Sequence, residues 1–270
     1  MGWRIVDIEN PAKLGLKDNK LSIEQDVGPV YIPLEDIDTL VIDGQGITMS
    51  KNIITALSDF GINTVACDDK HLPSAIILPY SQASRGAKVA RAQLNMPEAT
   101  RKQLWRKNII QKINNQADVL EKFNYSFKDL QQLAKTVRSG DVSNNESVAA
   151  RLYFDRLLGD ATRRKPMWYN SALNYGYAIV RSAIARSVAS RGLIAMVGIN
   201  HHSELNQYNL VDDLIESFRP IVDEYILSSI APRHIGEFED SNLSREERHL
   251  IIDILNNYDI IEGSVILSIL

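Results

Sequence analysis

The stretch GINHHSELNQYNLVDDLIESFRP, residues 198–220, decides how the rest of the chain is interpreted. It places two histidines, His201 and His202, shortly before a helical pattern that carries several acids. Asp213 and Glu216 are three residues apart, so on a helix both carboxylates leave from one face. Imidazole and carboxylate groups gathered in this way either bind a metal ion or cap a helix and face water.

The bulk composition predicts a folded protein of one large domain or two modest ones, because 44% of the 270 residues are hydrophobic. Residues 1–9 alternate like a strand and lack the basic and then apolar pattern of a signal segment. Since apolar runs also stay short of membrane-spanning length, we expect a cytoplasmic protein that does not engage a membrane. The single cysteine, Cys67, lies in an apolar run, which favours a buried, unreactive thiol and excludes a disulfide within the chain.

The net charge of −4 conceals an uneven distribution along the chain. Residues 81–115 hold eight lysines and arginines against one acid, and residues 138–191 hold nine against four. The stretch 192–270 holds four against fourteen acids. A basic middle followed by an acidic end is typical of a polyanion-binding surface beside a cation-binding site, so the net charge does not argue against nucleic acid as a partner.

The first part of the chain, residues 1–82, reads as a β-rich scaffold domain. Short runs with strand-like alternation are separated by turn residues such as Asp18-Asn19, and one helix is expected between Ser50 and Gly61. A linker-like stretch follows, in which the composition changes from acidic and strand-like to basic and helical. We therefore place the domain boundary near residue 82.

The second part, residues 83–270, has helical periodicity almost throughout. The pattern predicts helices over residues 85–94, 98–123, 126–137, 145–158, 170–190, 210–229 and 245–256, followed by a β-like tail over 264–270. The sequence therefore predicts an α+β protein, in which an N-terminal β-rich domain precedes a larger, all-helical, catalytic domain.

Glu146 has two interpretations. With Ser143 it has the form of a capping box, in which the two side chains satisfy each other's backbone amides at the start of a helix. Alternatively, it lies on the first turn of a helix that continues with Ala149-Ala150, and its carboxylate projects into a cleft as a metal ligand.

Helix capping explains only part of the acidic run. Asp212 stands in the first turn of a helix, where a carboxylate is favoured by the helix dipole. Asp213 has two interpretations: it is favoured at the helix start in the same way, or it is an acid that supports a metal ligand without binding the ion itself. Glu216 lies a turn further in, between apolar neighbours, and capping does not account for it. Three carboxylates and a histidine gathered with few bases repel one another unless a divalent cation lies between them. Hard oxygen ligands with one imidazole suit Mg²⁺ or Mn²⁺, and such an ion points to phosphoryl transfer.

Basic residues form two clusters with aromatic neighbours. The first fits phosphate contacts along a duplex and contains Trp105 with Arg85, Lys88, Arg91, Arg101, Lys102, Arg106, Lys107 and Lys112. The second suits a splayed strand end, where an aromatic ring stacks on a base, and contains Arg163, Arg164, Lys165, Trp168 and Tyr169. The alternative for the first cluster is a solvated helix face, which the near absence of acids there disfavours.

Several separate motifs, in this order, resemble one known family. They are NESVAARLYF (145–154), ALNYGYAI (172–179), GL (192–193), GINHH (198–202) and NLVDDLIESFRP (209–220). Over essentially its whole length the chain resembles the CRISPR-associated integrase of spacer acquisition, the first-numbered Cas protein, and most closely its type II branch.

The resemblance implies a metal site and its ligands. The family holds one divalent ion, here Mg²⁺ or Mn²⁺, between a glutamate, a histidine and a second acid, which fall on Glu146, His201 and Glu216 as catalytic residues. Where the family often has glycine after the glutamate, this chain has Ser147, which lies beside the metal site. The family pattern favours His201, and the neighbouring His202 stays open as an alternative.

The resemblance also implies a reaction and partners. A 3′-hydroxyl of captured double-stranded DNA, the protospacer, attacks a phosphodiester at the edge of a CRISPR repeat in a transesterification. A homodimer forms largely through the β-rich domains, and two dimers clamp a small ferredoxin-like CRISPR-associated partner in a heterohexamer-type complex, with type II effector machinery as a further partner. The alternatives are a stand-alone structure-specific nuclease acting on branched DNA and a nucleic-acid-binding scaffold whose acids only cap helices.

Overall fold

The computed structural model describes residues 4–69, 71–80, 85–159, 167–235, 238 and 240–257. The chain divides into two compact units, Met1–Val89 with Ala185–Leu193 and Ala90–Ile184 with Ile194–Leu270. The boundary predicted near residue 82 thus falls inside the first unit, which also takes in a segment from the second half of the chain.

The described residues of the first unit form eight strands in two four-stranded sheets. They are β1 (Arg4–Ile8), β2 (Lys13–Lys17), β3 (Lys20–Gln25), β4 (Gly28–Pro33), β5 (Ile37–Ile42), β6 (Thr48–Met49), β7 (Asn63–Cys67) and β8 (Pro73–Ile77). One sheet has the order β1-β5-β7-β8, with β8 antiparallel to β7 and the other pairs parallel. The other has the order β4-β3-β2-β6, in which β2, β3 and β4 are antiparallel neighbours.

Local sequence signals explain much of this unit. Asp18 and Asn19 both adopt positive φ in the tight turn between β2 and β3, as such hairpins require. The hydroxyl of Ser50 accepts the amide of Ile53 at the start of helix α1 (Lys51–Asp59), and Gly61 follows its end with a φ of +70°. The unit's core contains Ile53 and Leu57 of α1 together with Leu14, Leu21 and Leu40 of the strands.

Two further features of the first unit bear on the expectations from sequence. Burial, with a contribution from Asp43, raises the pKa of the Cys67 thiol, so the thiolate that would act as a nucleophile is disfavoured. Cys67 is only partly buried, however, and not fully buried as predicted. Arg186, in the segment Ala185–Leu193, forms an ion pair of 2.8 Å with Asp38, whose side chain is buried. This ion pair ties that segment to the N-terminal strands.

Helices and the loops between them make up the remainder of the described chain. The α-helices are α2 (Gly86–Leu94), α3 (Glu98–Lys122), α4 (Lys128–Thr136), α5 (Asn145–Leu158), α6 (Trp168–Ser190), α7 (Asn209–Ile215), α8 (Arg219–Tyr225), α9 (Arg245–Ile252) and α10 (Ile254–Asn257). The long helix α3 packs against α4, α5, α7 and α8, and its buried Ile109, Ile113 and Leu120 share a core with Leu130 and Tyr153. A strand-rich part followed by a helical part confirms the predicted α+β class.

The single helix predicted over residues 210–229 is wrong. The chain is divided there into α7 and α8, and α8 continues into a π-helical turn, Ile226–Ile230. Pro220, in the first turn of α8, lacks an amide hydrogen and so cannot donate to the carbonyl of Glu216 four residues earlier, which interrupts the helical hydrogen-bond series between α7 and α8. Glu216 therefore stands at the end of α7 and Arg219 at the start of α8. The predicted tail over 264–270 lies outside the described residues.

None of the described helices combines the length and the apolar character needed to cross a lipid bilayer.

Candidate active site

One face of α3 carries polar side chains that hold the region around α7. Asn108, Lys112 and Asn115 follow one another at spacings of four and three residues, which places them on one helical face. The amide of Asn108 donates to the backbone carbonyl of Asp213, and that of Asn115 donates to the carbonyl of Ser217 at 2.7 Å. These two anchors fix α7 and its end against α3, with Lys112 between them.

Lys112 joins two of the three predicted metal ligands. Its Nζ lies 2.6 Å from Oε1 of Glu146 and 2.5 Å from Oε2 of Glu216. The Lys112 side chain is only 9% exposed and that of Glu216 12%, whereas Glu146 is more open at 28%. One carboxylate from the first turn of α5 and one from the residue that follows α7 thus converge on a single positive charge.

The start of α5 is capped by Asp141 and not by Ser143. Oδ1 of Asp141 accepts the amide of Asn145 at 2.9 Å, and Oδ2 accepts the amide of Glu146 at 3.0 Å. The capping-box interpretation of Ser143 and Glu146 is therefore wrong. Because Asp141 satisfies these amides, the Glu146 carboxylate is left to project toward the ammonium of Lys112.

Glu216 has a second cationic partner. The Nε of Arg219 lies 2.9 Å from Oε1 of Glu216, and the guanidinium of Arg219 also lies 4.7 Å from the centre of the Tyr177 ring. Burial alone would raise the pKa of Glu216, but the charges of Lys112 and Arg219 hold this pKa below its usual value. Glu216 is therefore a buried but ionised carboxylate.

A buried carboxylate, that of Asp223, joins three helices near Glu146 and Glu216. Asp223 of α8 is 1% exposed and accepts hydrogen bonds from the hydroxyls of Tyr153 on α5, at 2.9 Å, and Tyr177 on α6. Burial first, and then the charge of Asp223, raises the pKa of Tyr153 well above its usual value, so Tyr153 stays a protonated donor. The three helices are thereby tied together at one point.

His201 is held by Asp213. Oδ1 of Asp213 lies 2.7 Å from Nδ1 of His201 and accepts its backbone amide at 3.0 Å, while Oδ2 accepts the amides of Ile199 and Asn200. Since Nδ1 faces this carboxylate, Nε2 is the ring nitrogen left for a ligand, an arrangement common beside metal ions. The imidazole also makes an edge contact with Trp105, with ring centres 6.0 Å apart. Asp213 thus supports a histidine rather than capping a helix.

The loop before His201 is tightly fixed. The side chain of Gln93 on α2 donates to the carbonyls of Ile194 and Val197, at 2.9 and 2.7 Å, and accepts the amide of Ile194 at 2.8 Å. At Gly198, an added Cβ would lie 2.2 Å from the carbonyl oxygen of His201, which is closer than real Cβ contacts allow. Glycine is therefore required for the loop to fold back on itself.

The neighbouring residues His202 and Asp212 have other contacts. Nδ1 of His202 lies 2.8 Å from the carbonyl oxygen of Asn200, and both histidines line an open cleft of about 400 Å³ together with Arg101. Asp212 lies in the first turn of α7, as expected, and forms a two-point ion pair with Arg181 at 2.5 and 3.1 Å. Burial opposes ionisation of Asp212, but the hydrogen bonds from Arg181 and Asn206 hold its pKa below the usual value. Asp212 is therefore already neutralised within the protein.

Within the described ranges, no group of three or more histidine, cysteine, aspartate and glutamate side chains is arranged so that it could hold a metal ion. The structure brings Glu146 and Glu216 together around Lys112 and holds His201 separately, through Asp213. The donor chemistry nevertheless fits a hard divalent ion, because two carboxylates converge on one positive charge and an imidazole is oriented by an acid.

The basic residues predicted to contact DNA differ in their environments. Exposed members are Arg85, Lys88, Arg91, Lys102 and Lys107. Arg101 lines the cleft beside the histidines, and Arg106, whose Nε donates to the carbonyl of Val137 at 2.7 Å, lines another cleft with Lys135. Arg163, Arg164 and Lys165 lie outside the described residues.

Three members of the predicted DNA surface belong to the interior instead. Trp168 is fully buried, and its indole nitrogen donates to Glu247 at 2.9 Å, so the prediction that it stacks on a base is wrong. Lys112 is buried between two carboxylates and does not face a duplex. Trp105, only 4% exposed, packs against His201.

Sequence reasoning missed the residues that position the ligands. Asp141, Gln93, Asn108 and Asn115 each bind backbone groups far along the chain or at a helix start. A signal existed for α3, because its amides and Lys112 recur with helical spacing beside the apolar stripe, whereas Gln93 has no comparable signature.

The family model described as CRISPR associated protein Cas1 matches residues 6–253 of this chain. A CRISPR-associated endonuclease Cas1 from Neisseria meningitidis serogroup C (strain 8013) is 41% identical over 226 residues, which are 83% of this chain and 74% of that protein. A CRISPR-associated endonuclease Cas1 from Francisella tularensis subsp. novicida (strain U112) is 27% identical over 241 residues, 79% and 74% of the two chains.

Solved structures share the fold. A Cas1 protein from Thermotoga maritima, 19% identical, has a TM-score of 0.78 over 98% of this chain and 93% of its own. A casposase bound to an integration product, 20% identical, has a TM-score of 0.76 over 94% and 82%. A complex described as Cas6-RT-Cas1–Cas2 contains a chain that is 19% identical, with a TM-score of 0.71 over 98% of this chain and 34% of its own. On the family match and the 41% identity, this chain belongs to the Cas1 family of CRISPR-associated proteins.

Proposed function

We propose that this chain is a divalent-metal-dependent DNA integrase and endonuclease of CRISPR adaptation, which joins the 3′-hydroxyl ends of captured DNA to the CRISPR repeat. The observation that carries the proposal is the convergence of Glu146 and Glu216 on one positive charge. Asp213, which orients His201, lies on α7 three residues before Glu216, the residue that caps the end of this helix. A related Cas1 protein named an endonuclease supports nuclease chemistry for this family.

The reaction is a transesterification. The 3′-oxygen of the captured strand forms a bond to the phosphorus of the repeat, and the bond between that phosphorus and the displaced strand end breaks. The attacking hydroxyl loses a proton and the leaving oxygen gains one, so the number of phosphodiester bonds is unchanged. When held by Glu146, His201 and Glu216, Mg²⁺ or Mn²⁺ supplies the Lewis acidity that polarises the phosphate and eases ionisation of the hydroxyl.

The protein's own groups prepare this site. Asp213 directs Nδ1 of His201 away from the reacting groups, so that Nε2 is presented for binding. Arg219 and Lys112 keep Glu216 ionised. Arg101, in the cleft that both histidines line, is placed to contact a phosphate of the entering strand.

Strand joining by purified protein tests the proposal. The protein, its small CRISPR-associated partner, a duplex with free 3′-hydroxyls and a repeat-containing plasmid are incubated with Mn²⁺ or Mg²⁺, and covalent joint molecules are counted. Glu146→Gln, His201→Ala and Glu216→Gln should each lower joining by about 10³-fold, on the scale of lost catalytic groups, while DNA binding is largely retained.

A matched carboxylate serves as the control. Glu224→Gln changes an acid of the same part of the chain, which pairs with Lys122 on α3, and should leave joining near wild type. Joining at wild-type levels in all three ligand variants, or without added divalent ion after chelation, contradicts the proposal.

The alternative function is a stand-alone nuclease that cuts branched DNA without joining anything, which the endonuclease names of the relatives favour. It predicts cleavage of branched DNA and no joint molecules in the same assay. A pure scaffold whose acids only cap helices is disfavoured, because Asp141 caps α5 while Glu146 and Glu216 both contact Lys112.

The proposed assembly is a homodimer, two copies of which clamp the small ferredoxin-like partner, with type II effector machinery as a further partner. The Cas1–Cas2 complex among proteins of similar fold supports a Cas partner of this kind. Mass photometry of the protein with and without the small partner tests it, and a monomer that never enters a larger complex contradicts it.

A further inference from the structure

We propose that Lys112 is an internal counter-ion of the candidate metal site, which holds Glu146 and Glu216 together before a divalent ion binds and gives way when it does. Lys112 is thus a positioning residue that also competes with the metal. The inference rests on the proposed function, since it assigns these carboxylates to a cation.

The position of Lys112 supports this role. Its Nζ contacts one oxygen of each carboxylate, Oε1 of Glu146 and Oε2 of Glu216. These separations are 2.6 and 2.5 Å. The ammonium therefore occupies the space between the two carboxylates that a divalent ion bound by both would need.

The Lys112 side chain can move away from the two carboxylates without a change in the helix that carries it. The backbone on either side of Lys112 is fixed by Asn108 and Asn115, whose amides bind carbonyls of Asp213 and Ser217. The ammonium itself is a compact charge at the end of a flexible four-carbon stem, so it can move while α3 stays in place.

Neither carboxylate depends on Lys112 for local structure. The helix start at Glu146 is capped by Asp141, and Oε1 of Glu216 is paired with Arg219. What Lys112 adds is the link between the two acids, which would otherwise repel each other across the space that they share. A lysine serving only to anchor a helix would not need to contact both.

Lys112→Met, which keeps the length of the stem and removes the charge, is compared with Lys122→Met. Lys122 is on the same helix and pairs with Glu224, and it serves as the matched control. Binding of Mn²⁺ to each protein without DNA is measured by electron paramagnetic resonance of the free ion. Each 1.4 kcal/mol of lost competition is a factor of about 10 in affinity, so we expect Lys112→Met to bind Mn²⁺ about 10-fold more tightly or better.

The melting temperature gives a second readout. Without metal, Lys112→Met should melt below wild type because Glu146 loses its ammonium partner and Glu216 keeps only Arg219. Mn²⁺ should raise the melting temperature of Lys112→Met by more than it raises that of wild type. Lys122→Met should respond to Mn²⁺ as wild type does. Equal or weaker Mn²⁺ binding in a folded Lys112→Met protein overturns the proposal.

A measurement on the unaltered protein covers the case in which Lys112→Met does not fold. Lysines are acetylated with and without Mn²⁺, and the acetylated positions are mapped by mass spectrometry. Acetylation of Lys112 should be slow without the metal ion and several-fold faster with it. Acetylation of Lys122 should proceed at the same rate in both conditions. Unchanged labelling of Lys112 at saturating Mn²⁺ overturns the proposal. If Mn²⁺ binds to neither protein, the metal dependence of the proposed function fails as well, whereas metal-dependent joining with unchanged Lys112 behaviour refutes this inference alone.

Discussion

Replacing Asp213 with asparagine tests whether one carboxylate builds the histidine side of the site. Asp213 accepts four hydrogen bonds, two at Oδ1 from His201 and two at Oδ2 from the amides of Ile199 and Asn200. Asparagine keeps the shape but offers one acceptor oxygen, and its NH₂ group would face donors on the other side. Two hydrogen bonds to a charged group are therefore lost and their donors stay unpaired.

The expected loss of unfolding free energy follows from this count. Hydrogen bonds to charged groups contribute about 1.5–3 kcal/mol each, so the loss of two should lower the unfolding free energy of Asp213→Asn by about 3–6 kcal/mol. For a chain of this size the melting temperature should fall by roughly 10 °C. Strand joining should fall further than stability explains, because Nε2 of His201 is no longer held in one direction.

Asp212→Asn is the matched control. Asp212 is the preceding residue, but its ion pair with Arg181 is more exposed, with side chains 23% and 37% accessible. Loss of this ion pair should lower the free energy of unfolding by about 1 kcal/mol and leave strand joining within a few-fold of wild type. Thermal denaturation, urea unfolding and the joining assay compare the two proteins, and equal losses in both would refute the role assigned to Asp213.

Two other outcomes are expected. Gly198→Ala should lower the free energy of unfolding by about 1–3 kcal/mol, because the added Cβ must be forced away from the carbonyl of His201. Gly15→Ala is the control, since the nearest atom to its added Cβ would be 4.0 Å away, and it should melt near wild type. Equal melting temperatures in the two variants would contradict the close packing at Gly198. Burial raises the pKa of Glu247, but hydrogen bonds from His234 and Ser244 outweigh burial and hold this pKa below 4.5. The ionised Glu247 carboxylate therefore stabilises the folded protein above pH 4.5, and this stabilisation is lost as the pH falls through the pKa of Glu247 in the folded protein. Urea unfolding from pH 6 to 3 should therefore show a shallower acid loss in Glu247→Gln than in wild type, and parallel curves would contradict this.

Features governed by neighbours in sequence could be predicted. The Asp18-Asn19 turn, the Ser50 cap and the helix over residues 145–158 each depend on contacts within a few residues, and the structure contains all three. The break after Glu216 was also encoded locally, by Pro220, although the apolar periodicity on both sides favoured one continuous helix.

The site was predictable only in its residue types. Lys112 stands in a basic run and reads as a surface residue, since its partners Glu146 and Glu216 lie 34 and 104 positions away. The prediction for Trp168 is wrong for the same reason, because its partner Glu247 lies 79 positions further on. Asp141 displaced the expected Ser143 cap because its two oxygens reach two amides at once, which a serine hydroxyl does not match.

The polar face of α3 sets a limit on how the chain can be lengthened. Each residue inserted into an α-helix rotates the remaining turns by about 100°. One extra residue between Asn108 and Lys112, with Asn108 held in place, would therefore turn the amide of Asn115 away from α7 and carry the ammonium of Lys112 off the carboxylates. The turn after α3, near the exposed Asn124 and Tyr125, carries no such phase relationship. We therefore expect peptide tags to be accepted at that turn and rejected within α3, where the site depends on rotational phase.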